Sequence, residues 1–292
     1  MQNLWNKNTE IDFFEKAIKF ASPEQLFYLG DDGKYYAYWP KSYKGKTQTM
    51  QARNSLIGNF TEKYTETLLA NFAKSKGWFA VQNVICNDLG LTNQSPADVA
   101  LCKSKNRIQK ISDIIVLFEI KMSIVWNWQL VEIENNKKLV CLGDYKTHKG
   151  NPGLLRSDSM LKAIGKSINI RVSGYETTSI PIIILGNTPI TKNYFTKVDH
   201  LKKSGIIQGF WSVNPKPLDN YGENIKKTYS GGFIRMDSYS ELISNLEKLT
   251  SIEQNYFSSM KTKKDLGSII EISNREKELE KKAEKFLSLI RS

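Results

Sequence analysis

The chain has 292 residues, 40% hydrophobic and 11% aromatic, enough to bury a sizeable core in one large domain with appendages. Its formal charge of +12 fits a polyanionic partner, although lysine supplies most of the cations and AT-biased coding would produce the same excess. Three scattered cysteines (Cys86, Cys102, Cys141) and two histidines (His148, His200) exclude a disulfide framework and a histidine-rich metal site. No apolar run approaches the ~20 residues that span a bilayer. Met1 to Asn6 lacks the layout of a secretory signal, so a cytoplasmic protein with no membrane partner is expected.

In chain order, Thr9 to Phe20 repeats Ile11, Phe14, Ala17 and Ile18 at helical spacing. The turn Gly30-Asp31-Asp32-Gly33 leads into a predicted strand, Lys34 to Trp39, closed by Pro40. Lys41 to Arg53 is polar and basic, which suits a mobile loop or an arm reaching a nucleic acid. A helix capped by Asn59 or Thr61 is predicted to run to about Lys76, with Phe60, Tyr64, Leu68 and Phe72 in a stripe and Gly77 as its stop. Strands are predicted over Trp78 to Cys86, over Asp98 to Cys102 and over the long apolar run Ile111 to Val125. Trp126 to Val140 has no clear pattern, and Leu142 to Gly153 reads as a loop. Ser157 or Asp158 caps a helix to roughly Arg171, and Ile180 to Leu185 is a buried strand closed by Gly186-Asn187. A short strand over Gly232 to Met236, a helix over Ser238 to Thr250 and a charged helical tail follow, the tail carrying Phe257, Leu266, Ile269, Ile270, Leu279, Phe286 and Leu289. That order implies an α/β fold with a mixed sheet and helices packed across it.

Glu119-Ile120-Lys121 sits inside the longest apolar strand. Alternation places Glu119 and Lys121 on one face, and burying either charge is costly unless it has a partner or a task. Asp98 opens the preceding strand, and a short antiparallel return brings its carboxylate beside Glu119. Two adjacent carboxylates make a hard-oxygen pair suited to Mg²⁺, which fills its remaining positions with waters and a phosphate. An ammonium beside them can steady an attacking water or developing charge, so phosphodiester hydrolysis needs nothing more. Asp113 is a rival on the same strand and face, but six residues put it roughly 20 Å from Glu119, and Asp98 is preferred. The plain alternative is an ion pair between Glu119 and Lys121 on an edge strand.

The pattern Pro96-Ala97-Asp98, twenty residues, then Glu119-Ile120-Lys121 resembles the PD-(D/E)XK nuclease superfamily, which includes most type II restriction endonucleases. The likeness extends from Thr61 to Leu185, because the helix, three strands, helix, strand order also matches that core. Ala97 is a departure, since it separates Pro96 from the acid. The resemblance implies Asp98, Glu119 and Lys121 as catalytic residues, with Asp98, Glu119 and the Ile120 carbonyl as Mg²⁺ ligands. It also implies an acid on the preceding helix near the metal, for which Glu62 comes ahead of Glu66, while Ser123 resembles the serine of E-x-K-x-S variants. Ordinary acids near a helix N-terminus are the alternative for the two glutamates.

Lys162 and Lys166 share a helix face after the strands and could contact phosphate with Arg156, or simply be solvated; Arg171 lies near the same helix. Arg53 and Arg235 could read guanine in the major groove. Trp126-Asn127-Trp128 reads as core in preference to cleft lining, and His148 lies in a loop that could approach DNA or be an ordinary loop residue. The expected whole is an α/β, restriction-endonuclease-like mixed sheet flanked by helices, with helical N- and C-terminal additions: residues 1–57 as an N-terminal helix and arm in contact with DNA, 58–250 as nuclease core with recognition insertions and 251–292 as a C-terminal helical extension. The expected partners are double-stranded DNA, a second copy in a homodimer and a cognate DNA methyltransferase protecting the host DNA. A repair, recombination or mobile-element nuclease, or a DNA-binding protein with a relic core, would share the same features.

Overall fold

A computed structural model describes residues 4–46, 50–133, 136–219, 224–251 and 263–291. Its elements in chain order are α1 (Lys7–Ala17), α2 (Pro23–Leu26), β1 (Tyr28–Leu29), β2 (Tyr35–Tyr36), α3 (Gln51–Ser75), β3 (Phe79–Val84), β4 (Ala97–Cys102), β5 (Ile114–Lys121), β6 (Asn127–Ile133), β7 (Asn136–Gly143), α4 (Ser157–Val172), β8 (Ile182–Gly186), α5 (Phe195–Lys203), β9 (Gly209–Ser212), β10 (Phe233–Arg235), α6 (Tyr239–Ser251), α7 (Lys263–Ser273) and α8 (Leu279–Arg291). No helix among the described residues is long and apolar enough to cross a membrane.

Six strands form a mixed sheet in the order β10-β9-β8-β5-β4-β3. β3, β4 and β5 are antiparallel neighbours, whereas β5, β8, β9 and β10 pair in parallel. Alternation along β5 divides the core. Val116, Phe118 and Ile120 pack with Phe14 of α1, Leu69 and Phe72 of α3 and Leu242 of α6. Leu117 belongs to the other face, with Met160 and Ala163 of α4 and Val198 of α5. β8 is buried at every position, as its unbroken Ile and Leu run requires of a central parallel strand. The protein is therefore α/β, with a mixed sheet covered on both faces. A second, antiparallel sheet of order β1-β2-β6-β7 flanks it.

Several sequence expectations change at this level. The stretch 41–53 is not one arm, because α3 already begins at Gln51, and neither Asn59 nor Thr61 caps it. The buried stripe of α3 starts with Arg53 and Ile57 and continues through Thr61, Thr65, Leu68 and Phe72. An arginine and two threonines on the inner face hid its first turns from an apolar pattern. Gly77, at φ +72°, does stop the helix, in the left-handed conformation that costs glycine little. Ile111–Asp113 is a 3-10 turn, so Asp113 is not on β5 at all. The patternless stretch after Trp126 is the β6–β7 hairpin, and Trp126, Asn127 and Trp128 are each 2% exposed, as core residues are. The predicted strand 34–39 shortens to β2, while α5 and β9 had no sequence counterpart. The N-cap of α4 is Arg156, one residue before Ser157. In the tail, α7 and α8 pack on each other, and Phe257 lies outside the described residues.

α1 is tied to the sheet by a buried carboxylate. Glu10 accepts hydrogen bonds from Trp5 Nε1 (3.0 Å), Val125 N (2.6 Å), Trp126 N (3.2 Å) and Trp128 Nε1 (2.7 Å). Burial pushes its pKa up to about 7 against the pull of those donors. All four partners are N–H groups, so an amide at this position turns one donor toward other donors. Glu10→Gln, measured at pH 8 where the carboxylate dominates, is expected to lower the unfolding free energy by about 1–3 kcal/mol, read from the urea midpoint at unchanged slope.

Candidate functional site

Val99 of β4 pairs with Phe118 of β5, so the next position along the ladder sets Asp98 opposite Glu119. Both side chains lie on the α4 side of the sheet, as directly opposed cross-strand neighbours. The β4–β5 ladder runs out here, and Asp98 Oδ2 takes over as acceptor for the Ile120 backbone N–H at 2.7 Å. Lys121 Nζ donates to Glu119 Oε1 at 2.5 Å and to the Ile120 carbonyl at 3.2 Å, and lies 3.9 Å from Asp98. From α4, Lys166 Nζ reaches Glu119 Oε2 at 2.6 Å and Asp98 Oδ1 at 3.1 Å. All four side chains are largely enclosed, with 11–19% of each exposed.

The electrostatics follow from that enclosure. Burial first, then the facing Asp98 charge, push Glu119 upward, while the two ammoniums pull it back. Burial works against the Lys166 ammonium, but Asp98 and Glu119 outweigh it and raise its pKa. Glu62, on α3, is pushed up to about 7 by burial and then by Asp98. A third carboxyl thus stands close enough to feel the first two. Glu66 does not join them; it pairs with Lys63 on the outer side of α3 at 2.5 Å.

Among the described residues no three His, Cys, Asp or Glu side chains gather tightly enough to hold a metal by themselves. The donor set is smaller: one oxygen each from Asp98 and Glu119 converge on a single cationic nitrogen, and the Ile120 carbonyl lies beside Lys121. Two carboxylates and a carbonyl match the sparse protein ligation that Mg²⁺ accepts when waters and a phosphate complete its shell, so the residues fit that ion.

A polar cleft of about 750 Å³ opens beside this cluster. Its walls include Arg53, Thr61 and Glu62 of α3, Lys121 at the end of β5 and Ser123 just beyond it, Lys149, Asn151 and Gly153 of the loop after β7, and Arg156 and Lys162 at the start of α4. Lys162 and Lys166 therefore part company. Lys162 stays outside, paired with Asp158 at 3.2 Å, as does Arg156 at 3.3 Å, whereas Lys166 enters the acid cluster. Ser123 does not touch the acids; its Oγ lies 3.3 Å from the Tyr38 hydroxyl.

Arg53 is 4% exposed, bonded to the carbonyls of Leu26 and Ala37 and set between Tyr28 and Tyr38, so its guanidinium is spent inside the fold and not offered to a base. Arg235 lies on the edge strand β10, bonded to Asp237 and to the Asn224 carbonyl. Arg171 braces the far end of α4 through the carbonyls of Ile206 and Thr177 and the side chain of Gln208. Asn187 stood out in the sequence only as part of the turn that closes a buried strand. Fully buried after β8, it grips both backbone groups of Ser123, accepting from N at 3.1 Å and donating to O at 2.6 Å.

His148 is not a surface loop residue. It is 2% exposed, stacks on Tyr38 at 4.0 Å, accepts from Gly150 N at Nδ1 and meets the Val125 carbonyl through Nε2. That pairing requires the neutral ring, and burial drives its pKa down from 6.5 to about 4. The unfolded chain binds this proton near pH 6.5 and the folded chain only near 4. Stability is therefore full above pH 6.5 and is lost as pH falls from there toward 4. His148→Gln is expected to abolish roughly 2–3 kcal/mol of that acid-induced loss, measured as the difference between urea midpoints at pH 7.5 and 4.5 in mutant and parent. No protein-family profile, curated protein or solved structure matches this chain.

Proposed function

We propose that the protein is a Mg²⁺-dependent endonuclease of the restriction-endonuclease type, which hydrolyses phosphodiester bonds of double-stranded DNA at the Asp98–Glu119–Lys121 centre. One observation carries the reading: Asp98 and Glu119 face each other across β4 and β5, each with an oxygen turned to a common cation position, and Lys121 stands beside them. The helix, meander, helix, parallel-strand order of α3, β3–β5, α4 and β8 supports a restriction-endonuclease-like core. The charge of +12 supports a polyanionic substrate.

In this reading Asp98, Glu119 and the Ile120 carbonyl would hold Mg²⁺. The bound ion would supply neutralisation of the scissile phosphate and acidification of a water. Lys121, already hydrogen-bonded to Glu119, orients the attacking water and balances negative charge as it develops. Asp98 keeps its carboxylate in place through the Ile120 N–H, and the Asn187 grip on Ser123 fixes the chain just beyond Lys121. Water attacks phosphorus, the bond to the 3′ oxygen breaks, and the products are a 5′-phosphate and a 3′-hydroxyl. Arg156, Lys149 and Lys162 on the cleft walls meet neighbouring phosphates. Site-specific cutting of both strands by a homodimer, with a cognate methyltransferase protecting the host's own sites, completes the proposal.

Incubation with unmodified and methylated phage DNA in Mg²⁺ tests it. Discrete fragments are expected from the parent protein, and Lys121→Ala and Glu119→Gln are expected to cut roughly 10²–10³-fold more slowly while keeping the parent's fold by circular dichroism. Identical bands from parent and Lys121→Ala preparations would show that the centre lies elsewhere.

A further inference from the structure

Each acid of the central pair has one oxygen committed to a neighbour. Asp98 Oδ2 holds the Ile120 N–H, and Glu119 Oε1 holds Lys121. The two remaining oxygens, Asp98 Oδ1 and Glu119 Oε2, are those that Lys166 occupies, at 3.1 and 2.6 Å. Lys166 is not part of the strand that carries Glu119 and Lys121. It comes from the middle of α4, whose backbone is anchored to the sheet by the buried Met160, Ala163 and Ile170. Only its four-carbon stem is free to move, and a lysine stem has the torsional freedom to swing its charge away while the helix stays put.

We propose that Lys166 is a displaceable resident cation, holding the Asp98–Glu119 pair together in the metal-free protein and competing with a divalent ion for the same two oxygens. The inference rests on the metal-site reading above and deepens it. An ammonium about 3 Å from both oxygens and a metal ion about 2 Å from both would set two cations within a few ångströms of each other on one oxygen pair, so each weakens the other's binding. Without Lys166 the facing carboxylates keep only Lys121 as a counter-charge, so their mutual repulsion rises and favours binding of another cation. The fold therefore does not leave the pair as an open metal trap. Lys121 differs in holding Glu119 through Oε1, the oxygen that Lys166 does not touch.

The test is calorimetric titration of the full 292-residue chain with Mn²⁺ alone at pH 8, with no DNA present. Lys166→Met keeps the stem and removes the charge; it is expected to bind Mn²⁺ about tenfold or more tightly than the parent, with the gain erased in the Glu119→Gln, Lys166→Met double variant. If Lys166→Met fails to fold, Lys166→Gln serves for the same comparison. Equal or weaker Mn²⁺ binding by the neutral variant, with binding still lost in Glu119→Gln, overturns the competition and leaves the metal site standing. Absence of saturable Mn²⁺ binding in every form overturns the metal site itself, and the competition with it.

Discussion

The cleft depends on the antiparallel register of β4 and β5. With Val99 opposite Phe118, the strands place Asp98 against Glu119 on the face that α4 covers, and nothing in the side chains alone would hold two carboxylates there. Like charges this close are tolerable because two lysines reach them from different directions, Lys121 along the strand and Lys166 down from the helix. Ladder, helix and acids are thus mutually dependent. A one-residue slip of β4 would turn Asp98 to the opposite face of the sheet, leaving Glu119 and both lysines mismatched.

Around that register the fold keeps the end of β5 in position by spending buried polar groups. Asn187 binds the backbone of Ser123, Glu10 binds the backbone of Val125 and Trp126, and His148 meets the Val125 carbonyl. The chain leaving the acid centre is therefore held at successive points by side chains from three other parts of the sequence. Gly153 adds a steric element. At φ +55° it lies so near that a Cβ there would come 3.0 Å from the Lys121 carbonyl. Such over-determination is what a site needs if its carboxylates are to keep their geometry when a multiply charged ligand arrives. The N-terminal segment contributes too: Arg53 ties α3 to the carbonyls of Leu26, at the end of α2, and Ala37, just after β2, fixing the helix that carries Glu62.

Much of the fold was legible in local pattern. The Leu68 and Phe72 end of the α3 stripe, the Ile-rich run of β8 and the alternation across Glu119-Ile120-Lys121 each follow from periods that the backbone imposes. Where the pattern failed, polar residues had been used on an inner face. Arg53, Thr61 and Thr65 line the buried side of α3, and Glu10 and His148 are core residues that composition marks as surface. The β6–β7 hairpin was obscured because part of its apolar content faces the main core and part faces solvent.

The amino-acid sequence by itself determined that Asp98, Glu119 and Lys121 would be the charged members of apolar strands, because alternation and the cost of burying charge act within a few residues of each position. Only the tertiary structure decided which distant groups join them. Lys166 and Lys162 are indistinguishable as letters four apart on one helix, yet one enters the acid pair and the other stays at the rim with Asp158. The placing of Glu62, the Asn187 grip and the enclosure of Arg53 are of the same kind. Each is a contact between segments far apart in the chain, set by how helices dock on the sheet and by which buried polar groups must find partners.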